Sequence, residues 1–208
     1  MSKKSDREEI AIEICKAAKL YKEYLVGRKF AYVFDDRYIE VLYKKANFKH
    51  LTGVECNMSA DNFYKNAVKN RLYGSQIYFS NKHPFSLCKR KVQHLCSIPK
   101  LAGNENFILE EILTSTKMYK FGTTDLHFTL CMNKEYDDIN QEKGDCYIVE
   151  SLRDEDYFNK CKNAYVVTHI LSKDNISNKY TELLFIDKSS SISNLPRGIV
   201  IDETQICI

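Results

Sequence analysis

The sequence predicts an α+β fold in which N-terminal helices pack on a C-terminal antiparallel sheet. Apolar residues recur at helical spacing in the first half of the chain, whereas segments rich in Val, Ile, Thr, Tyr and Phe dominate the second half. Helices followed by strands are typical of α+β proteins, not of alternating parallel sheets. With 208 residues, 44% of them hydrophobic and 28% charged, the chain has an ordinary globular composition.

The first two predicted elements are an amphipathic helix and a β-hairpin. Ser5 and Glu8 form a capping-box pattern, and Gly27 ends the helical pattern. Between them, apolar residues follow helical spacing: Ile10, Ile14, Ala17, Tyr21 and Leu25. Segments 29–34 and 38–43 then predict two short strands joined by a turn. Residues 44–58 are predicted to be irregular.

Three further helices are predicted before the sheet. Ser59 caps the first of these, and Gly74 closes it. Pro84 begins the next, which ends before Pro99. Its predicted inner stripe is Phe85, Cys88, Val92, Leu95 and Cys96, and its predicted outer, basic face is Lys89, Arg90, Lys91 and His94. A short helix is expected at 106–113.

The second half of the sequence predicts strands with one interruption. The strand-like segments are 115–121, 127–133, 146–149, 164–171 and 180–186. A helix is expected at 154–161, where three acidic residues suit a helix N-terminus, and a last strand at 198–201. We predict three regions along the chain: an N-terminal helix at 1–28, a main domain at 29–188 and a C-terminal tail or strand at 189–208.

Composition excludes several classes of protein. No run approaches the roughly 18 to 20 apolar residues of a spanning helix, and the first residues lack the apolar core of a signal peptide. The cysteines form no CxxC pair and mostly lie in apolar stretches: positions 15, 56, 88, 96, 131, 146, 161 and 207. We therefore expect a reduced protein of the cytoplasm without membrane contact.

Charge is distributed unevenly along the chain. Residues 41–100 contain eleven Lys or Arg residues against two acids, Glu55 and Asp61. The net charge of this segment is therefore 11 − 2 = +9, whereas the net charge of the whole chain is +3. Such a segment suits a polyanionic partner. The alternative is that these cations cover solvated helix faces in several directions.

Two histidines are candidates for proton transfer. His50 stands between a cation and a hydroxyl in Phe48-Lys49-His50-Leu51-Thr52-Gly53, a pattern that suits acid-base chemistry near neutral pH. Strand alternation places His127 on one face with Asp125, which could orient the imidazole. The alternatives are a loop-bracing role for His50 and a solvated strand face for His127.

Other reactive side chains predict no cofactor. Cys88, His94 and Cys96 lack the spacing of a metal site, so no metal is predicted. His169 lies in an apolar run that favours a core position, and His83 is predicted to be a loop residue. The sequence contains no Walker loop, dinucleotide fingerprint, HExxH or GxSxG motif, which argues against nucleotide-driven and α/β-hydrolase enzymes.

Three segments together resemble one nuclease family. Phe48–Gly53 with the following Phe63-Tyr64 helix resembles the opening motif of the phage-associated Barnase-EndoU-Colicin-RelE-like (BECR) nucleases, fourth phage-type group. Segment 119–132 resembles the group's "iG….LGF" strand pair, and 146–156 resembles its "Y-x-P-x-(S/T)-L-L-x-E-D" segment. Val149 and Arg153 depart from the last pattern, which has Pro and Leu there.

The resemblance implies a metal-independent ribonuclease of phage, prophage, toxin or defence type, without a cofactor. It implies RNA as a partner, together with an antitoxin or a host protein. His50 would act as the acid or base, while Thr52 and Ser151 would hold the phosphate. His127, from the strand pattern described above, is a further catalytic candidate. The implied RNA-binding residues are cationic: Lys49, Lys82, Lys89, Arg90 and Lys91. A second interpretation stays open, in which the chain keeps the fold as an inactive binding module that regulates or inhibits a host system.

Overall fold

The computed structural model describes residues 3–206, with side chains from residue 5 onward, and it confirms the α+β class. Cys207 lies outside the described residues. The four helices are α1 Lys3–Tyr24, α2 Phe48–Thr52, α3 Ala60–Val68 and α4 Phe85–Leu101. The nine strands are β1 Arg28–Phe34, β2 Arg37–Leu42, β3 Phe107–Leu113, β4 Met118–Thr124, β5 Thr129–Tyr136, β6 Glu142–Arg153, β7 Asn163–Val166, β8 His169–Asp174 and β9 Glu182–Ile186.

All nine strands form one sheet in the order β7-β3-β4-β5-β6-β2-β1-β8-β9. Neighbouring strands are antiparallel except β2 and β6, which are parallel. The predicted hairpin is therefore confirmed as β1 and β2, and it joins the centre of the sheet. The main core combines apolar side chains of α1, α3 and α4 with those of the sheet. The N-terminal helix consequently packs into the same core as the strands.

The helical half differs from the prediction at several helix ends. The described part of α1 begins at Lys3, so Ser5 and Glu8 lie inside it, and the Glu8 carboxylate instead accepts a hydrogen bond from the Gly74 backbone N–H, at 3.0 Å. Ser59 caps α3 as predicted, but the helix ends at Val68 and not near Gly74. Helix α4 continues through Pro99 to Leu101. Pro99 has no N–H to donate to the Leu95 carbonyl, so the helix continues past it with one backbone hydrogen bond missing.

The strand half contains two wrong predictions of helix. Residues 106–113 were expected to be helical but form β3, because pairing with both β4 and β7 outweighs local propensity. The expected helix at 154–161 is only a 3-10 turn, Phe158–Lys160, preceded by Tyr157 at φ +62°, which α-helices do not allow. The expected last strand is reduced to a single bridge between Tyr180 and Ile201.

Two further observations on the described residues concern membrane-spanning helices and disulfide bonds. None of the helices in 3–206 has the length and apolar character that crossing a bilayer requires. Seven cysteines are free within this range; four of them are buried and three are half-buried.

Candidate active site

Two adjoining cavities open where α2, the start of α4, β4 and β6 meet. The larger cavity measures about 550 Å³ and the smaller about 420 Å³. Both are lined by Ala46, His50 and His83. The remaining residues of the larger cavity are mostly polar or charged: Asn47, Lys91, Thr116, Lys117, Tyr119, Glu150, Ser151 and Arg153. We call this larger cavity the central cavity.

Helix α2 presents His50 to the central cavity. Phe48 and Leu51 are fully buried on the opposite side of this short helix, and the Phe48 ring packs 5.1 Å from the ring of Tyr21. The amide of Asn47 donates a hydrogen bond to the Val149 carbonyl of β6 at 2.9 Å, which fixes the start of α2 on the sheet. The His50 side chain therefore points outward from a rigid base.

A tight turn before α4 brings His83 to the same cavity. Ser80 and His83 exchange two backbone hydrogen bonds of 3.1 and 3.2 Å, and the Glu55–Tyr78 bridge fastens the preceding segment. Neither His50 nor His83 forms a ring hydrogen bond with any residue in 3–206. Both imidazoles are therefore available to a ligand.

Gly53 permits the close packing beneath the two histidines. It ends α2 at φ +75°, a conformation that side chains with a Cβ rarely adopt. A Cβ at this position would lie 3.1 Å from Cδ of Lys91 and 3.7 Å from Cδ2 of His83. The glycine is therefore required both by the turn and by its neighbours.

Lys91 is a nearly buried cation that has no anionic partner among the described residues. Its side chain is only 7% exposed, and no described carboxylate lies within salt-bridge distance. Burial and the nearby Arg153 guanidinium lower its pKa. A desolvated, unpaired ammonium group is costly in a fold, so its presence in a cavity indicates a site for an anion.

A β-bulge lets consecutive residues of β6 line the central cavity. Cys131 of β5 pairs with Ser151 and Met132 pairs with Val149, so Glu150 is the extra residue of the bulge. Regular alternation would send Glu150 and Ser151 to opposite faces. Arg153 follows on the same strand, and its Nε is buried without a hydrogen-bond partner in the described chain. Its guanidinium donates to the Thr116 hydroxyl at 3.3 Å.

The opposite wall combines one ion pair with an aromatic ring. Lys117 donates to the Glu150 carboxylate at 2.5 Å, and its ammonium lies 4.7 Å from the centre of the Tyr119 ring. With Lys117 neutralised by Glu150, the cavity keeps the two positive charges of Lys91 and Arg153. The cavity is therefore cationic around two imidazoles.

The surroundings of both imidazoles lower the pKa of each ring, so the neutral forms persist to lower pH than in a free histidine. Partial burial, followed by the Lys91 and His83 charges, lowers the pKa of His50 below 6.5. Partial burial and Lys91 likewise lower the pKa of His83, against a weaker opposite effect of Glu55. The His83 charge contributes to the lowered pKa of His50, and both rings line the same two cavities, so they are neighbours. Two imidazoles beside two free cations can exchange protons with a bound anionic group.

The structure places three of the sequence-predicted site residues beside His50, in different roles. Ser151 lines the central cavity, and its hydroxyl has no hydrogen bond within the described chain. Thr52 is fully buried, and its hydroxyl donates to the Lys49 carbonyl at 2.7 Å and accepts from the Val54 N–H at 3.2 Å. Lys49 lines the smaller cavity but donates to the carbonyls of Cys56 and Met58. Thr52 and Lys49 therefore stabilise the turn after α2, in contrast to the predicted phosphate and RNA contacts.

Other predicted residues lie outside the central cavity. His127 belongs to the turn between β4 and β5, where its exposed ring approaches the carbonyl of Asp125. The predicted strand face with Asp125 is wrong, because β5 begins only at Thr129.

The predicted basic face of α4 is divided among several contacts. Lys89 pairs with Glu9 of α1 at 2.7 Å, whereas Arg90 and His94 both bind the Asp154 carboxylate. Lys82 is exposed in the turn next to His83. Only Lys91 of the three consecutive cations reaches the central cavity.

Replacing Gly53 by Ala separates backbone strain from site geometry. We expect Gly53→Ala to lower the free energy of unfolding by about 1–2 kcal/mol, the cost of a left-handed non-glycine residue, and also to displace Lys91 and His83. Gly27→Ala is the matched control, since Gly27 has φ +86° but nothing within 4 Å of the added Cβ. Thermal unfolding should show similar losses for both variants. Anion binding at the central cavity should fall only for Gly53→Ala, and equal binding by the two variants would contradict the packing argument.

Among residues 3–206, no three His, Cys, Asp or Glu side chains are grouped so that they could hold a metal ion.

Comparison with protein families gives a match to phage-Barnase-EndoU-ColicinE5/D-RelE like nuclease4 over residues 13–189. This range includes every residue that lines the two cavities. Curated proteins and solved structures gave no match.

Proposed function

The chain belongs to this phage-type nuclease family, and from that membership we propose that it is a metal-independent endoribonuclease whose acid-base pair is His50 and His83. One observation carries the proposal: two imidazoles without ring hydrogen bonds share a cavity with two cations, Lys91 and Arg153, that no described carboxylate neutralises. This arrangement supplies a base, an acid and positive charge at a single phosphate.

The proposed reaction is an internal attack by the ribose hydroxyl. One imidazole, neutral, takes the proton of the 2′-hydroxyl while the 2′-oxygen bonds to phosphorus. The other imidazole, protonated, gives its proton to the departing 5′-oxygen as the P–O5′ bond breaks. The products are a 2′,3′-cyclic phosphate and a 5′-hydroxyl. After the reaction the first imidazole is protonated and the second is neutral.

The cations serve the phosphate as its charge increases. Lys91 and Arg153 stabilise the two non-bridging oxygens of the phosphorane, and because these cations are preorganised and partly buried, the stabilisation is stronger than it would be in water. The free Ser151 hydroxyl positions one of these oxygens. Tyr119 and the aliphatic part of Lys117 bound the space that receives the neighbouring nucleotide.

The test compares an RNA with its fully 2′-O-methylated counterpart in excess EDTA. Cleavage of the RNA alone supports the proposal, because methylation removes the nucleophile and chelation removes divalent metals. Loss of cleavage in EDTA, or cleavage of both strands, would refute it. Binding of RNA without cleavage would favour the inactive binding module instead.

The lowered pKa values predict an acidic pH optimum. Catalysis requires one imidazole neutral and the other protonated, so kcat/KM should follow a bell whose limbs report the free enzyme. Both histidines have pKa values lowered from 6.5, and the maximum should therefore lie below pH 6.5. A bound phosphate favours the protonated rings, so the maximum of kcat should lie at higher pH than that of kcat/KM. Coincident maxima above pH 7 would contradict the assignment.

A further inference from the structure

A second cationic surface lies beyond the smaller cavity, on α1, α3 and the turn before α2. We call it the lysine patch and define it by Lys22, Lys45, Lys65 and Lys69. These lysines surround a cleft of about 200 Å³, whose walls also include Tyr64 and Val68. The cleft is smaller than the roughly 300–1,000 Å³ of pockets for whole small molecules. It therefore suits one part of a larger ligand.

The charges of the lysine patch are uncompensated. All four side chains are exposed, and none forms an ion pair or a side-chain hydrogen bond with a residue in 3–206. Lys65 and Lys69 are four residues apart at the end of α3, a spacing at which like charges repel. Asp61 is the one acid that lines the cleft. A surface of this kind favours a polyanion.

Tyr64 provides a second, independent indication of a ligand. The residue is 4% exposed, it lines the cleft, and its hydroxyl has no hydrogen-bond partner among the described residues. Buried hydroxyls are nearly always paired in native proteins, and one that is not can be completed by a water, an ion or a ligand atom. A nucleotide brings polar atoms of this kind together with its phosphate.

The lysine patch continues directly from the cavities that hold the histidines. Lys45 precedes Ala46, which lines both cavities, and Asp61 follows Ala60, which lines the smaller one. Adjacent residues are about 3.8 Å apart at their Cα atoms. The patch, the smaller cavity and the central cavity are thus neighbours, and we call the three together the track.

We propose that the lysine patch is a backbone-binding subsite for the RNA strand, which holds phosphates on one side of the bond cleaved in the central cavity. The proposal rests on the ribonuclease function proposed above. It adds that recognition extends over several nucleotides and that much of the affinity arises away from the reacting phosphate. Single-stranded RNA fits the track because its phosphates repeat along a flexible chain.

Binding measurements in a cleavage-deficient background test the subsite. The probe is a fluorescent single-stranded 12-nucleotide RNA, titrated with His50→Ala protein at several salt concentrations. We expect Lys65→Ala/Lys69→Ala to reduce the slope of log K against log salt by about 1.4, at about 0.7 per lost phosphate contact. Affinity at 0.1 M salt should weaken by about 10- to 30-fold.

The matched control is Lys179→Ala/Lys188→Ala, which removes two exposed lysines that line neither the cleft nor the cavities. If the slope of log K against log salt is the same for the two double variants, the subsite proposal is overturned. The lysine patch would then bind a different polyanion, such as an acidic protein. If RNA is cleaved but the slopes are equal, only the subsite fails. If binding depends on the patch but EDTA-resistant cleavage is absent, only the proposed ribonuclease function fails.

Discussion

Replacing His50 by Ala is expected to lower kcat for RNA cleavage by about 10² to 10⁴, the usual contribution of a positioned general acid or base. The fold should be unaffected, because His50 lies at the solvent-accessible wall of the cavity and its ring has no hydrogen-bond partner in the described chain. The free energy of unfolding should therefore change by less than about 0.5 kcal/mol. Single-turnover cleavage assays and thermal unfolding measure the two quantities on the same preparations.

Two further variants test whether the loss of activity in His50→Ala reflects a catalytic pair formed with His83. His83→Ala should cost as much as His50→Ala, and the double variant should cost little more than either, because groups that act together are not additive. His127→Ala is the matched control, since this exposed imidazole lies outside both cavities. A large loss in His127→Ala with retained activity in His83→Ala would contradict the pairing.

Replacing Lys91 by Met is expected to reduce kcat by about 10² to 10³, as for removal of one preorganised donor to a developing oxyanion. The same change should raise the free energy of unfolding by about 1 kcal/mol, since it removes a desolvated cation without a partner and its repulsion by Arg153. Methionine keeps the aliphatic stem that packs against Gly53. Loss of activity with gained stability is the signature of a functional residue.

The stability gain from Lys91→Met should depend on pH in a defined direction. The pKa of Lys91 is lower in the folded protein, so the unfolded chain binds more protons and the cost of the cation disappears as pH rises toward its ordinary value of about 10.4. The variant and wild type should thus converge in alkaline solution. Lys89→Met, on the same helix but paired with Glu9, is the control and should keep its activity. Equal loss of activity in both variants would indicate a general effect of charge on α4.

The sequence identified His50 because its motif is local. Six consecutive residues bring the glycine and the imidazole together. The segment was predicted to be irregular, which is wrong for Phe48–Thr52, because these residues form the short helix α2 that Gly53 ends. Thr52 belongs to the same motif, but a string of letters does not show which hydroxyl is buried. Its role as a helix-end hydrogen bond became visible only from the positions of the Lys49 carbonyl and the Val54 N–H.

Residues that meet through tertiary structure were harder to predict. His83 lies 33 residues after His50 with no pattern that links the two, and only the bridge between Glu55 and Tyr78 brings its turn to the cavity. Lys91 did leave a signal, because it stands three residues after Cys88 and four before Leu95, both in the buried stripe. Because Lys91 is charged, it was predicted to lie on the outer face of the helix. Spacing would have indicated a buried cation.

Arg153 shows how a departure from a family pattern can mark a candidate functional position. The residue replaces an apolar one in the pattern that the chain resembles, yet it lines the central cavity with an unpartnered Nε. The β-bulge at Glu150 determines which residues of β6 face the cavity. Alternation of polar and apolar residues could not predict this bulge, because a bulge interrupts the two-residue period on which such a prediction depends.

The chemistry of the cleaved ends tests the proposed reaction most directly. RNA digested by the wild-type chain in EDTA should yield fragments with 2′,3′-cyclic phosphate and 5′-hydroxyl ends, as resolved by mass spectrometry, and His50→Ala should yield them far more slowly. Fragments that carry 5′-phosphate and 3′-hydroxyl ends would contradict attack by the 2′-hydroxyl, and with it the acid-base roles of His50 and His83.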